Sequence, residues 1–428
     1  MKKLFITSIM ILFFVSPDFS ITKAQNGSGA FSDSLLTLCK KNFNEGLYRA
    51  AVDLYKDAYI HKLSPEELFY FGLSYNNLRE TVKASRYFQK AVETAPEHKG
   101  YRIQLARNYS QLGKTFEAIG SYQTVIDSDS NNVTAYYELG LIYYDIKDYD
   151  NAVKMFSRNV TLNKNDFLSS YYLGSSMMLS PNPNLAEPAM KHLEHSVALN
   201  PEYVPSVALL ASSKFNIQKY YDANALYGIA IRLRPKNAEF YFKSGLCNEK
   251  LKFYIEAVEK YTRAIELNPN DPNYYDHLGF VYFNLNKYDS ALSAYKRAIL
   301  IDDNPTYFLN LGFTYAKMDS LKKTIESFQK ALSLMALDKI GNICNQIGAV
   351  YYRQKNYKEA KLSYEKALMY YPDNIDAQFY IAMINEKLMD WKNARLAYQK
   401  VIKMAKDDSL QTERLDYSSK KIQELKKK

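Results

Sequence analysis

The sequence predicts an all-α chain of stacked helical hairpins, and three observations carry that reading. The first is a ladder of small residues, Cys39, Gly72, Ala106, Gly140, Gly174, Ala211, Gly245, Gly279, Gly312, Gly348 and Ala382, spaced 33 to 37 residues apart and most often 34. The second is a set of residues at fixed distances after each rung. A tyrosine often stands three residues on (Tyr75, Tyr109, Tyr143, Tyr282, Tyr315, Tyr351) and an alanine twelve on (Ala84, Ala118, Ala152, Ala257, Ala291). An aromatic comes four beyond that alanine (Tyr55, Phe88, Tyr122, Phe156, Tyr261, Tyr295, Phe328, Tyr364, Tyr398), then a second alanine after three more (Ala58, Ala91, Ala230, Ala264, Ala298, Ala331). The third is composition. With 47% apolar and 24% charged residues the chain is no polyelectrolyte, and 15 glycines and 13 prolines in 428 residues are about half the usual frequency.

Offsets of three, four and seven put these residues on one face of each of two helices. The small rungs let the helix backbones approach, and the aromatics are expected to fill the gap to the next hairpin. Pro96, Pro201, Pro235, Pro269 and Pro372 close units because proline lacks an amide hydrogen and disfavours helix in the residue before it. Segments such as Asn268-Pro269-Asn270-Asp271 supply the turn and the cap of the next helix. One hairpin cannot bury its apolar face, so the units must stack.

In chain order, residues 1–24 read as a secretory signal: Lys2 and Lys3, an apolar run Leu4 to Val15, and small residues around Ala24, with cleavage expected after Ala24. The run is shorter than the roughly 20 residues a bilayer span needs. Cleavage would reduce the formal charge from +10 to +8. The chain is therefore expected to be exported, periplasmic or associated with the cell envelope, with no integral membrane segment after cleavage. Residues 25–31 are read as a linker and 32–408 as eleven repeats beginning near 32, 65, 99, 133, 167, 204, 238, 272, 305, 341 and 375. Residues 409–428 are read as a capping helix with Leu415, Ile422 and Leu425 on one face. In the fifth unit the step from Gly174 to its alanine, Ala189, is fifteen residues instead of twelve. The extra length falls in 180–188, where Pro181, Pro183 and Pro188 predict an extended, stiff excursion with Pro188 at the start of the second helix.

This spacing and residue set resembles the tetratricopeptide repeat (TPR) family over about residues 32–408. Departures are local: Asn159 and Val401 replace the second alanine, and Thr324 the first. The resemblance implies a right-handed α-solenoid, a superhelix whose first helices line the inner face. It also implies a protein-binding groove built from the second, fifth, ninth and twelfth positions of each unit. Those positions hold Phe43, Phe69, Tyr137, Tyr144, Tyr171, Phe215, Phe242, Phe280, Phe283, Phe313, Tyr352 and Phe379, about twice the aromatic share of the chain. With the thirteenth positions added, Lys40, Arg107, Lys250, Lys317, Arg353 and Lys387 stand against eight carboxylates, among them Glu66, Glu249, Asp276, Asp376 and Glu386. The slight negative balance argues against nucleic acid as a partner. The basic carboxylate clamp of some relatives is not apparent.

Other motifs have simpler readings. Gly113-Lys114-Thr115 lacks the first glycine and the strand of a phosphate loop and reads as a hairpin turn. Asp127-Ser128-Asp129-Ser130-Asn131 with Glu138 imitates a calcium loop, yet Val133 must already be helical to keep register, so the segment reads as a turn and a cap. His192 and His195 are three apart with no third ligand evident, and Cys39, Cys247 and Cys344 read as packing residues. No metal, cofactor or catalytic constellation is expected. The function expected is a non-catalytic scaffold or adaptor of the cell envelope that binds protein or peptide segments, envelope-assembly proteins among them. The alternatives are a structural subunit of an envelope assembly or secretion apparatus, or a glycan- or peptidoglycan-recognition module.

Overall fold

A computed structural model describes residues 28–54, 60, 62–335, 340–405 and 412–426. The expected signal segment lies outside the described residues, as do Tyr55, Ala58, 25–27 and 409–411. The described residues divide into two compact units, with the boundary between Leu199 and Asn200.

The first unit holds five antiparallel hairpins: α1 (Ser28–Asn44) with α2 (Tyr48–Asp53), α3 (Pro65–Asn77) with α4 (Thr81–Thr94), α5 (Lys99–Gln111) with α6 (Thr115–Ser128), α7 (Val133–Asp145) with α8 (Tyr149–Leu162), and α9 (Phe167–Leu179) with α10 (Ala186–Leu199). The second holds α11 (Val204–Asn216) with α12 (Tyr220–Leu233), α13 (Ala238–Lys250) with α14 (Tyr254–Leu267), α15 (Pro272–Asn284) with α16 (Tyr288–Ile301), and α17 (Pro305–Lys317) with α18 (Leu321–Leu334). It continues with α19 (Ile340–Arg353) and α20 (Tyr357–Tyr370), α21 (Ile375–Lys387) and α22 (Trp391–Ala405), and a final α23 (Thr412–Leu425). The fold is the all-α repeat arrangement expected, and within each unit a helix packs on the one before and the one after it. One boundary differs. α1 already includes Ser28, inside the expected linker.

Within a hairpin the aromatic of the second helix seats on the glycine of the first. A β-carbon on Gly72, Gly140, Gly245, Gly279 or Gly312 would lie 2.5–2.8 Å from ring atoms of Phe88, Phe156, Tyr261, Tyr295 or Phe328. Besides filling the gap to the next hairpin as expected, these rings have one edge locked into their own. Their other side meets the following unit, as in the stacked pairs Phe156–Tyr172 at 5.4 Å and Tyr364–Tyr380 at 5.1 Å. All of these second-helix rings are buried, each removing an aromatic from water for roughly 2–3 kcal/mol.

Hairpin reversal uses a left-handed residue at one register position: Gly46, Arg79, Gly113, Lys147, Gln218, Lys252, Asn286, Asp319, Lys355 and Met389. The next amide then reaches back across the turn, as Glu80 N–H donates to the Tyr75 carbonyl at 2.9 Å and Lys287 N–H to that of Tyr282 at 2.9 Å. The tyrosine marker thus ends its helix with a backbone bond. Pro181 occupies this position in the fifth unit, and its ring forbids positive φ. The chain there leaves α9 through an extended Ser180 and makes a 3-10 turn, Pro183–Leu185, running into α10 at Ala186. The expected stiff excursion is thus a compact turn, and Pro188 stands inside the first turn of the helix instead of opening it.

The calcium-like segment is a turn and a cap. The Asn132 side chain accepts from Ala135 N–H at 3.0 Å, and Asp129 accepts from Asn131 N–H at 3.2 Å and lies 3.2 Å from Lys99. Polar substitutes for the second alanine are satisfied in place. Asn159 donates to the Val133 carbonyl at 2.6 Å and accepts from the Ser169 hydroxyl at 2.9 Å, while Ser196 donates to the Phe167 carbonyl at 2.8 Å. All three cysteines are buried, and burial pushes the thiols of Cys39 and Cys247 up to about 12.

Candidate protein-binding groove

The aromatics singled out from the sequence sort by register into three structural classes. Those at the fifth position pack inward. Phe242 is buried against Tyr274, Tyr261 and His277, with ring centroids at 4.8, 5.7 and 5.3 Å. It is a core residue and offers no surface to a ligand. Phe69 is half-buried against Tyr101 at 4.7 Å, Tyr137 against Phe156 at 6.0 Å, and Tyr171 against Tyr172 at 5.1 Å. Phe379 is covered by α23, through Tyr417 at 5.6 Å and the Arg414 guanidinium over its ring.

Twelfth-position rings clamp the hairpin turn. Phe43–Tyr48, Tyr144–Tyr149, Phe215–Tyr220, Phe283–Tyr288 and Tyr352–Tyr357 lie 5.3–5.8 Å apart, and four of the five pairs meet edge to face. In each, the last ring of the first helix meets the first residue of the second, five positions on. Tyr144 also shares a 2.9 Å hydrogen bond with Ser175.

Only the ninth-position rings are openly exposed, Phe280 at 41% and Phe313 at 40%. These two and Phe283 come together. Along α15, α17 and α19 they line a cavity of about 460 Å³ with Tyr295, Asn310, Ala316, Lys317 and Arg353. Of the aromatics that the repeat register nominates, these three line one cavity, whereas Tyr137, Tyr144 and Tyr171 meet around Tyr172, and Tyr352 and Phe379 around Tyr380. Tyr295 and Asn310 were not among those nominated. The first is the ring seated on Gly279, and the second is tied to the neighbouring hairpin through Asp276, 2.8 Å away.

The acidic balance of the groove is mostly spent between neighbouring helices. Glu66 pairs with Lys40 at 2.6 Å, Asp376 with Arg414, and Glu386 with Lys421 at 2.9 Å. Glu249 is nearly buried, accepting from the Tyr261 hydroxyl at 2.7 Å and lying 2.8 Å from His277 Nδ1; this desolvation and the carboxylate push the Tyr261 phenol up. Burial likewise raises the Asp276 carboxyl, against the lowering pull of Asn310 and His277. The cavity itself carries two cations and no carboxylate in its lining. Arg353 lies 3.1 Å from Asp319, and Lys317 makes no ion pair among the described residues. A site of three rings flanked by cations can take an apolar side chain and a carboxylate together.

Among the described residues no group of three His, Cys, Asp or Glu side chains comes together as metal ligands, and no helix is long and apolar enough to cross a membrane.

Models of the tetratricopeptide repeat match residues 106–147, 254–286 and 281–319, and also 133–166, 341–374 and 376–407. Curated relatives include the human protein O-mannosyl-transferase TMTC1, 24% identical over 46% of this chain and 22% of its own length. The Hsp70-Hsp90 organizing protein of Triticum aestivum is 27% identical over 39% of this chain and 29% of its own. The chain thus spans less than a third of the length of either relative. Among solved structures, YrrB, a TPR protein with an unusual peptide-binding site, is 21% identical with a TM-score of 0.40, over 47% of this chain and 99% of that one. MamA is 24% identical with a TM-score of 0.38, over 41% and 93%. Repeat register, the ring-on-glycine hairpin and the matched models agree: the chain belongs to the tetratricopeptide repeat family.

Proposed function

We propose that this chain is a non-catalytic scaffold of the cell envelope, exported by its N-terminal signal, that holds protein segments in the groove centred on Phe280, Phe283 and Phe313. The observation that carries this reading is the convergence of those rings with Lys317 and Arg353 on one cavity whose lining includes no carboxylate. Its chemistry suits a segment with a large apolar side chain beside an acidic residue. The apolar group is desolvated by the rings, and its neighbour is paired at the exposed rim, where one such ion pair contributes about 0–1 kcal/mol.

The test is a photo-crosslinking residue at Ala316, used in envelope extract. Phe280→Ala and Phe313→Ala should each cost about 1–3 kcal/mol in affinity for the captured segment, with little change in melting temperature. Phe242→Ala, a core truncation, should instead lower stability by about 3–5 kcal/mol. Capture that is unaffected by the first two variants removes the groove from the account. The export half is tested separately: sequencing the N-terminus of protein from its host should find Gln25, and an intact Met1 would sink it.

A second reading, a structural subunit that assembles through other surfaces, draws on the exposed Tyr221 and Ile255 (65% and 68%), with Phe253 in ring contact with Tyr221 at 5.9 Å. Tyr221→Glu with Ile255→Glu should abolish co-fractionation with an envelope assembly under that reading and leave it unchanged under the groove reading.

A further inference from the structure

We propose that a cavity between α8 and α10, in the first unit, is a binding site for a small tetrahedral oxyanion of the phosphate class. The cavity, about 590 Å³, is lined by Ser157, Val160 and Thr161 of α8, Lys164 of the following turn, Leu173 of α9, and Lys191, His192 and His195 of α10. Four of these eight side chains can carry positive charge, and none is acidic. Elsewhere in this unit cations meet carboxylates of the next hairpin, as Lys40 does Glu66 and Arg107 does Glu138. At this cavity the acidic partner is Glu187, 3.0 Å from Lys191, and both ends of that pair are more than 70% exposed.

Hydrogen bonding settles the state of one imidazole. His195 Nε2 lies 2.9 Å from the Lys164 carbonyl oxygen, which can only accept, so Nε2 carries the proton and Nδ1 is the nitrogen left over. Protonation there adds a donor without disturbing the first bond. His192 is half-buried, and burial together with the His195 charge holds its pKa below the ordinary histidine value. Two imidazoles that repel each other's charge are poor neighbours for a metal cation beside two ammonium groups. An anion between them supplies the charge that lets both protonate. The Ser157 hydroxyl is a further donor, whereas Thr161 is occupied in donating to the Ser157 carbonyl at 2.8 Å.

The surrounding charges are engaged elsewhere. Arg158 binds the Ser130 carbonyl and Asn131, Lys154 binds Asn151, and Asp166 accepts from Leu168 N–H. Glu194, on α10 between the two histidines, also has an interaction of its own. Because an anion favours the protonated form of His192, whose pKa lies below the ordinary histidine value, affinity should rise as pH falls.

Sulfate, whose charge is constant between pH 5.5 and 7.5, isolates that effect. Titrated into the full chain and followed by the imidazole proton resonances, it should bind saturably at pH 5.5, shift His192 and His195 selectively, and weaken on the order of ten-fold by pH 7.5. His192→Gln with His195→Gln should abolish binding at an unchanged melting temperature. Lys164→Gln, an exposed change outside any helix, should weaken it while both histidines remain. Inorganic phosphate and glycerol 1-phosphate at pH 6.5 separate the sources: tighter binding of the ester assigns the site to a phosphoryl group on a larger molecule, and equal or weaker binding to the free ion. Shifts that do not saturate, affinity independent of pH, or full binding by the double variant would each overturn the site and leave an ordinary solvated basic face.

Discussion

A β-carbon on Gly279 would sit 2.6 Å from Tyr295 Cε1, and the ring cannot retreat because Tyr295 is 2% exposed and wedged between helices. Gly279→Ala should therefore cost about 1–3 kcal/mol through overpacking, read as a lower urea midpoint. Gly228 lies mid-helix in α12 with nothing within 4 Å of such a carbon, so Gly228→Ala should gain about 0.5–1 kcal/mol from helix propensity alone. The two glycines look alike in composition, and only the 34-residue register distinguishes them beforehand. Asp276 gives a second test with a definite sign. Its carboxyl is raised by burial, so the folded state binds the proton more tightly than the unfolded chain does. Ionisation therefore disfavours the fold above the folded pKa, and that penalty vanishes below the unfolded value near ~3.9. Asp276→Asn keeps the acceptor for Asn310, so it should stabilise the protein at pH 7 and change nothing near pH 3, by urea midpoints at the two pH values.

Helix by helix, the register was legible because each hairpin repeats the same small-residue and ring positions. What those residues touch was less so. The twelfth-position rings are plain in the sequence, but their partners lie across a turn closed by a left-handed residue, and only two of those ten residues are glycine. No local composition marks Arg79, Lys252 or Met389 as turn residues. The positions are set by hydrogen-bond closure of the preceding helix, a constraint of geometry. The fifth hairpin shows the converse, since Pro181 alone announces that this closure is impossible there. The end of the array was legible in kind: Ile422 and Leu425 of α23 are buried as their spacing suggested. Its polar grip on α21 was not foreseen: Lys421 reaches Glu386 at 2.9 Å, and the pair raises the Lys421 pKa. Ending the chain at residue 408 would uncover Phe379 and Tyr398 and strip those ion pairs. Local stability of α21 and α22 should fall by on the order of 3–5 kcal/mol, measured as faster amide exchange confined to those helices. Unchanged exchange there would mean that α23 only solvates the end.

Across the molecule, the three-ring site was legible only in outline. Position rules nominate aromatics on every hairpin, whereas a cavity needs adjacent hairpins to present exposed rings with nothing between them. Phe280 and Phe313 meet that condition because the residues one repeat away at the same register, Leu246 and Ala349, are aliphatic and half-buried. The same nearest-neighbour logic governs stability. Within each unit a helix packs chiefly on its immediate predecessor and successor, so the free energy is close to a sum of hairpin and interface contributions. A local lesion then loosens a local segment instead of lowering the whole unit evenly. Gly279→Ala is suited to show this, since Tyr295 is seated on Gly279 and lines the cavity. Amide exchange in the variant should accelerate by on the order of ten- to a hundred-fold in α15 and α16, less in α14 and α17, and not measurably in α21 and α22 of the same unit. Affinity for a captured segment should fall with it, because the cavity rests on the loosened hairpin. Uniform acceleration from α11 to α22 would show that the second unit opens as one cooperative body, and the additive account of this solenoid would have to be abandoned.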